Sequence, residues 1–237
     1  MKKVIATLAL AALTTAASYA QTTLADWTFE GTLNDTTASD FAYGPADSGA
    51  QNGGSAGGGH HAATNTVWSS PSGNGSVQSL SATRWDMGDY FQFSLSTAGF
   101  SGLSITADQT GSNTGPRDFQ LQYSTDGNTF TNFGSIYSIS NDSWATNGTP
   151  KTVSNHSFDL SSITALNNLS TVYFRLTDAS TTNITGGAIT AAGSSRVDNF
   201  TVNAANTVVP EPSILGLAGL GAAMLVGARR FYRRSRG

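Results

Sequence analysis

Two aspartates of this chain fall in phase with apolar side chains of their own segments. Read as a strand, residues 196–202 place Asp198 on the side of Phe200 and Val202, and Asp178 follows Val172, Phe174 and Leu176 in the same phase. A buried carboxylate without a partner is costly, so each needs an arginine, backbone donors or a cation. For Asp198 the choice stays open between a strand end bonded to backbone amides, Arg175 or Arg196, and a bound metal. No loop has the D-x-D-x-D-G spacing of a Ca²⁺ site. His60 and His61 are adjacent, so an extended strand points them apart, and no cysteine exists to complete a zinc set. They read as part of a flexible loop.

Hydrolytic chemistry finds little support. His156-Ser157 is not a nucleophile motif, and a serine triad would have to be assembled from three histidines on or near loops. Thirteen aspartates make a facing pair of carboxylates a matter of chance. The chain is therefore read as non-catalytic, with a secreted hydrolase as the distant alternative. Sugar binding has a better physical basis, because flat aromatic faces with Asn, Asp and Gln nearby hold sugar rings. Trp68 and Trp144, placed in predicted loops, are the candidates for exposed stacking; Trp27 and Trp85 are expected in the core.

Strands must position these groups. Phe91, Phe93 and Leu95 share one face, as do Phe119, Leu121 and Tyr123, then Val172, Phe174 and Leu176, then Phe200 and Val202. Asp126-Gly127 between two such runs is a hairpin signal, since both residues accept left-handed angles. Gly, Ser, Thr, Asn and aromatics dominate, while Lys and Glu are scarce. The expected fold is all-β, an antiparallel β-sandwich of jelly-roll-like order; no fixed-length repeat supports a β-solenoid. Residues 45–76 hold eight glycines and are expected to be a flexible Gly/Ser-rich loop with one short strand near Trp68.

The ends carry addresses. Lys2 and Lys3 precede an apolar run from Val4 to Leu13, and Ser18-Tyr19-Ala20 offers small residues for cleavage, so residues 1–20 read as a signal peptide. At the other end come Pro210-Glu211-Pro212, an uncharged stretch over residues 214–228, and Arg229, Arg230, Arg233, Arg234 and Arg236. Fifteen residues make a helix of roughly 22 Å, a single short transmembrane helix against a hydrocarbon core of about 30 Å. The arginines hold the C-terminus cytoplasmic. Residues 21–207 then form one ectodomain, with five basic residues against fourteen acidic ones, a net of nine negative charges. Such a surface repels nucleic acid. Without cysteine, no disulfide stabilises it in an oxidising compartment.

Pro-Glu-Pro, one hydrophobic segment and a basic end, in that order over residues 208–237, resemble the PEP-CTERM sorting signal, also described as an ice-binding protein C-terminal domain. The resemblance implies a membrane-embedded exosortase-type processing enzyme as partner, passage across the inner membrane, an anchored stage through residues 214–228, and then a cell-surface or extracellular location. The scattered threonines show no flat array for ice.

A second resemblance rests on Tyr90-Phe91-Gln92-Phe93, Leu121-Gln122-Tyr123-Ser124-Thr125-Asp126-Gly127, Phe174-Arg175-Leu176 and Arg196-Val197-Asp198-Asn199-Phe200. This set looks like the β-sandwich ectodomains of exported proteins with sorting tails. It implies a module without an assigned reaction, and by likeness to jelly-roll modules a candidate structural Ca²⁺ between Glu30 and Asp198. The function read from all this is structural or adhesive within an exopolysaccharide layer or biofilm, with a carbohydrate-binding module as the alternative.

Overall fold

The computed structural model describes residues 21–31 and 35–206. The signal peptide, the sorting tail and the segment 214–228 lie outside the described residues; among those described, no helix is long and apolar enough to cross a membrane. In chain order the strands are β1 (Gln21–Trp27), β2 (Thr36–Thr37), β3 (Asp40–Gly44), β4 (Ala56–His60), β5 (Val67–Ser69), β6 (Leu80–Thr83), β7 (Tyr90–Leu95), β8 (Phe100–Gly111), β9 (Asp118–Ser124), β10 (Thr131–Ser138), β11 (Asn155–Asp159), β12 (Val172–Asp178) and β13 (Ser194–Asn206).

They form two antiparallel sheets. One runs β11-β8-β13-β6-β5-β2, with β1 also paired to β13; the other runs β10-β9-β12-β7-β4-β3. The period-two residues fill the space between them: Phe91, Phe93, Leu95, Phe119, Leu121, Val172, Phe174, Leu176, Phe200 and Val202 are fully buried. Burying one face of each strand is what joins the two layers. Phe93 of one sheet stacks on Phe200 of the other at 3.6 Å between ring centroids. Because β1 pairs with β13, Gln21 lies opposite Ala205, and both ends of the described body meet at one place.

The hairpin at Asp126-Gly127 forms between β9 and β10, with Gly127 at φ 75°. Asp126 Oδ1 accepts from the amides of Asn128 and Thr129, each at 2.8 Å. Those bonds, led by Thr129, hold its pKa down to about 2.

Residues 45–76 are not one loop. They contain β4 as well as β5, and β4 is an inner strand between β3 and β7. Its glycines are there for thickness: a Cβ on Gly57 would lie 2.7 Å from Trp27 Nε1, and one on Gly59 would lie 2.6 Å from Trp68 Cη2. Glycine in a strand marks such close approach. The glycine-rich composition that reads as flexible is the space two indoles occupy. Gly59→Val is expected to cost about 1–3 kcal/mol by overpacking. Denaturant unfolding checks this, and a variant as stable as its parent would refute it.

Candidate functional site

Asp198 is buried, but on the other side of its sheet from the one its phase predicted. A bulge at Asn199, with φ 49°, inserts an extra residue into β13, so that Asp198 pairs with Asp108 while Thr201 pairs with Thr106. Asp198 therefore shares a face with Asp108, opposite to the core residues Ile105 and Val202, and the segment around Asn74 covers it. Asp198 Oδ2 accepts from Asn74 N at 2.7 Å and Ser76 Oγ at 2.8 Å, and Oδ1 accepts from Asn199 N at 2.8 Å. Burial nevertheless pushes its pKa up to about 6, these bonds offsetting part of the rise. Glu30 is exposed and takes the amides of Val77 and Gln78 at 3.3 and 3.1 Å. Both carboxylates thus clamp the same loop, each on its own amides. Among the described residues no three His, Asp or Glu side chains are grouped to hold a metal.

Neither tryptophan proposed for stacking is exposed, and Trp68 belongs to the core between the sheets. Trp68 is 0% exposed, its Nε1 donates to Ala38 O at 3.0 Å, and its ring stacks on Phe41 at 5.3 Å. Trp144 is 7% exposed and donates to Ser154 Oγ at 3.0 Å. An indole in so small a sandwich contributes more by burial than by exposure, and Gly59 of β4 makes the room for Trp68.

The histidines belong to ordered structure. His60 Nδ1 lies 2.7 Å from Asp40 Oδ1 on the surface, whereas His61 is fully buried against Trp68 and Trp85. Burial pushes the His61 pKa down to about 4, so its 3.4 Å approach to Asp89 Oδ2 is not an ion pair at neutral pH. Gly53-Gly54-Ser55-Ala56-Gly57 has the G-x-S-x-G spacing of a nucleophile elbow. Ser55, however, leads into a strand, and its hydroxyl donates to Asn52 O and accepts from Ala46 N.

What the fold does assemble is the outer face of the six-stranded sheet. Cross-strand pairing aligns Ala42, Gly58, Gln92, Arg175, Gln122 and Asn132 in one row, and Asp40, His60, Tyr90, Thr177 and Gln120 in the next. All have the phase opposite to the core residues. A groove of about 270 Å³ runs over Ala42, Ala56 and Gly58, walled by Asp40, Tyr90, Gln92 and Ser94. A second, of about 320 Å³, lies beyond Arg175 between Gln120, Gln122, Asn132, Ile136 and Met87. The amides are interlinked: Gln122 Oε1 accepts from Thr177 Oγ1 at 3.0 Å, and its Nε2 donates to Asn132 Oδ1 at 2.9 Å.

Sequence reasoning missed this face, although part of the signal was present. Gln92 alternates with Phe91 and Phe93, Arg175 with Phe174 and Leu176, and Gln120 and Gln122 with Phe119 and Leu121. Only the strand order brings those polar phases side by side.

The tail supplies the other half of the picture. Residues 208–234 match the PEP-CTERM protein-sorting motif. The PEP-CTERM motif implies an exported protein, membrane-anchored before an exosortase processes it and at the cell surface afterwards. No curated protein matches the chain in sequence. Among solved structures the chain is distantly similar to a CBM4 domain, at 14% identity and a TM-score of 0.36, over 53% of this chain and 70% of that one. It is also similar to the K2 cleaved adhesin domain of Lys-gingipain, at 12% identity and a TM-score of 0.35, over 77% and 97%. The K1 cleaved adhesin domain of Lys-gingipain from Porphyromonas gingivalis W83 gives 18% identity and a TM-score of 0.32, over 76% and 97%.

Proposed function

We propose that the ectodomain is a non-catalytic adhesive module of the extracellular polysaccharide layer, which holds polysaccharide across the outer face of its six-stranded sheet. The observation that carries this reading is the groove over Ala42, Ala56 and Gly58, with a floor almost free of side chains and walls of hydroxyl, amide and carboxylate groups. A sugar ring has the same two-sided character, with apolar CH patches and a polar rim. Six strands at about 4.8 Å spacing span roughly 24 Å, long enough for several units of a chain lying across them.

Filling the groove tests the reading. Ser94→Trp places an indole where the chain would lie, on a surface position with little bearing on the core. Pull-down on the producer's own polysaccharide is expected to weaken about tenfold or more, with thermal unfolding unchanged. Undiminished retention by a folded Ser94→Trp protein would move the binding site elsewhere or leave a purely structural role.

A further inference from the structure

We propose that the ligand of this face is an acidic polysaccharide, and that Arg175 takes the carboxylate of a uronic acid unit; the proposal rests on the reading of the face as a polysaccharide site. The Arg175 guanidinium carbon lies 3.7 Å from the ring centroid of Tyr90 and 3.5 Å from that of Phe130, so that aromatic rings cover it on two sides. Its Nε donates to Gln92 Oε1 at 2.8 Å. The clamp fixes the plane of the group and leaves the two terminal nitrogens as the donors for a partner.

Among the described residues no carboxylate supplies that partner. The domain has thirteen aspartates and one glutamate, yet among the described residues the basic side chains within 4 Å of a carboxylate are His60, His61 and Arg117, and Arg175 is not one of them. Arg117 shows the contrast, gripping Asp118 through Nε at 2.9 Å and Nη2 at 3.0 Å. A half-buried cation with no counter-ion among the described residues, and with only its Nε hydrogen-bonded, is a place kept for an anion. A guanidinium held in plane matches a carboxylate through two parallel hydrogen bonds, a geometry lysine cannot reproduce. The position is also central: Arg175 lies between the two grooves, so a chain filling both would pass over it.

The test uses the full chain in detergent, with polygalacturonate and the same polymer after reduction of its carboxyl groups as probes. The parent protein is expected to bind the acidic form about 10–100-fold more tightly, the worth of a paired charge-assisted hydrogen bond. Arg175→Gln should erase that preference, and Arg175→Lys should restore it only in part. Gln92→Glu keeps Arg175 and its packing but supplies a carboxylate at an atom already bonded to Nε, and should erase the preference equally. This variant separates loss of the anion site from loss of the fold. Equal binding of the two polymers by the parent, or an unchanged preference in both Arg175→Gln and Gln92→Glu, overturns the proposal and leaves the polysaccharide reading standing. Binding of neither polymer, nor of the producer's polysaccharide, overturns both.

Discussion

Trp68→Ala is expected to destabilise the ectodomain by about 3–5 kcal/mol, a large part of the 5–15 kcal/mol that holds a typical domain together. Trp68 is fully buried, packs edge-on against His61 and Phe91 at 4.9 and 6.2 Å, and stacks on Phe41. Removing it opens a cavity between the sheets, since Gly59, which faces it on β4, has no side chain with which to close the space. It also leaves Ala38 O without the indole donor. Had this tryptophan been a sugar platform, truncation would have removed binding and spared stability. The opposite pattern is expected, and urea unfolding checks it: a loss below about 1 kcal/mol would contradict the packing argument.

Asp178→Asn is expected to stabilise the protein, by an amount that grows as pH rises from about 4 to about 7. Asp178 is 1% exposed and its Oδ2 has no hydrogen-bond partner, while Oδ1 accepts from Ser180 N at 3.2 Å. Burial first, then the nearby Asp89, Asp118 and Asp86, push its pKa from the ordinary 3.8 up to about 7. The folded state thus holds this proton more tightly than the unfolded chain does. Stability from this group is full below about pH 4, falls as pH rises to about 7, and stays low above. Asparagine fits the same space and never ionises. The gap between variant and parent should be small at pH 4 and widen to the order of 2–4 kcal/mol by pH 8. His61 acts with the opposite sign: with its pKa pushed down to about 4, it costs stability as pH falls from about 6.5 toward 4. Comparing variant with parent at each pH cancels that contribution. A gap independent of pH, read from unfolding curves at pH 4, 6 and 8, would refute the account.

The covered network around Asp198 shows why acidic residues were hard to assign from sequence. Three donors from two segments far apart in the chain meet one carboxylate, and a single left-handed residue decides which way that carboxylate points. Strand periodicity assumes an unbroken pleat. At Asn199 the pleat is broken, and the inferred side of Asp198 reversed with it.

Alternation of apolar residues was enough to determine an all-β sandwich and most of its core, because the pleat turns every second side chain inward whichever strands turn out to be neighbours. Order and charge in the tail were enough for the sorting motif, because a short apolar stretch and a basic end act as linear signals. Exposure of the tryptophans, the rigidity of the glycine-rich β4, the phase of Asp198 and the row from Ala42 to Asn132 were decided only in three dimensions. Each depends on which strand lies beside which. β7, β9 and β12 are separated by dozens of residues of chain, and no local pattern records that Gln92, Arg175 and Gln122 stand next to one another; the hydrogen bonds between strands do.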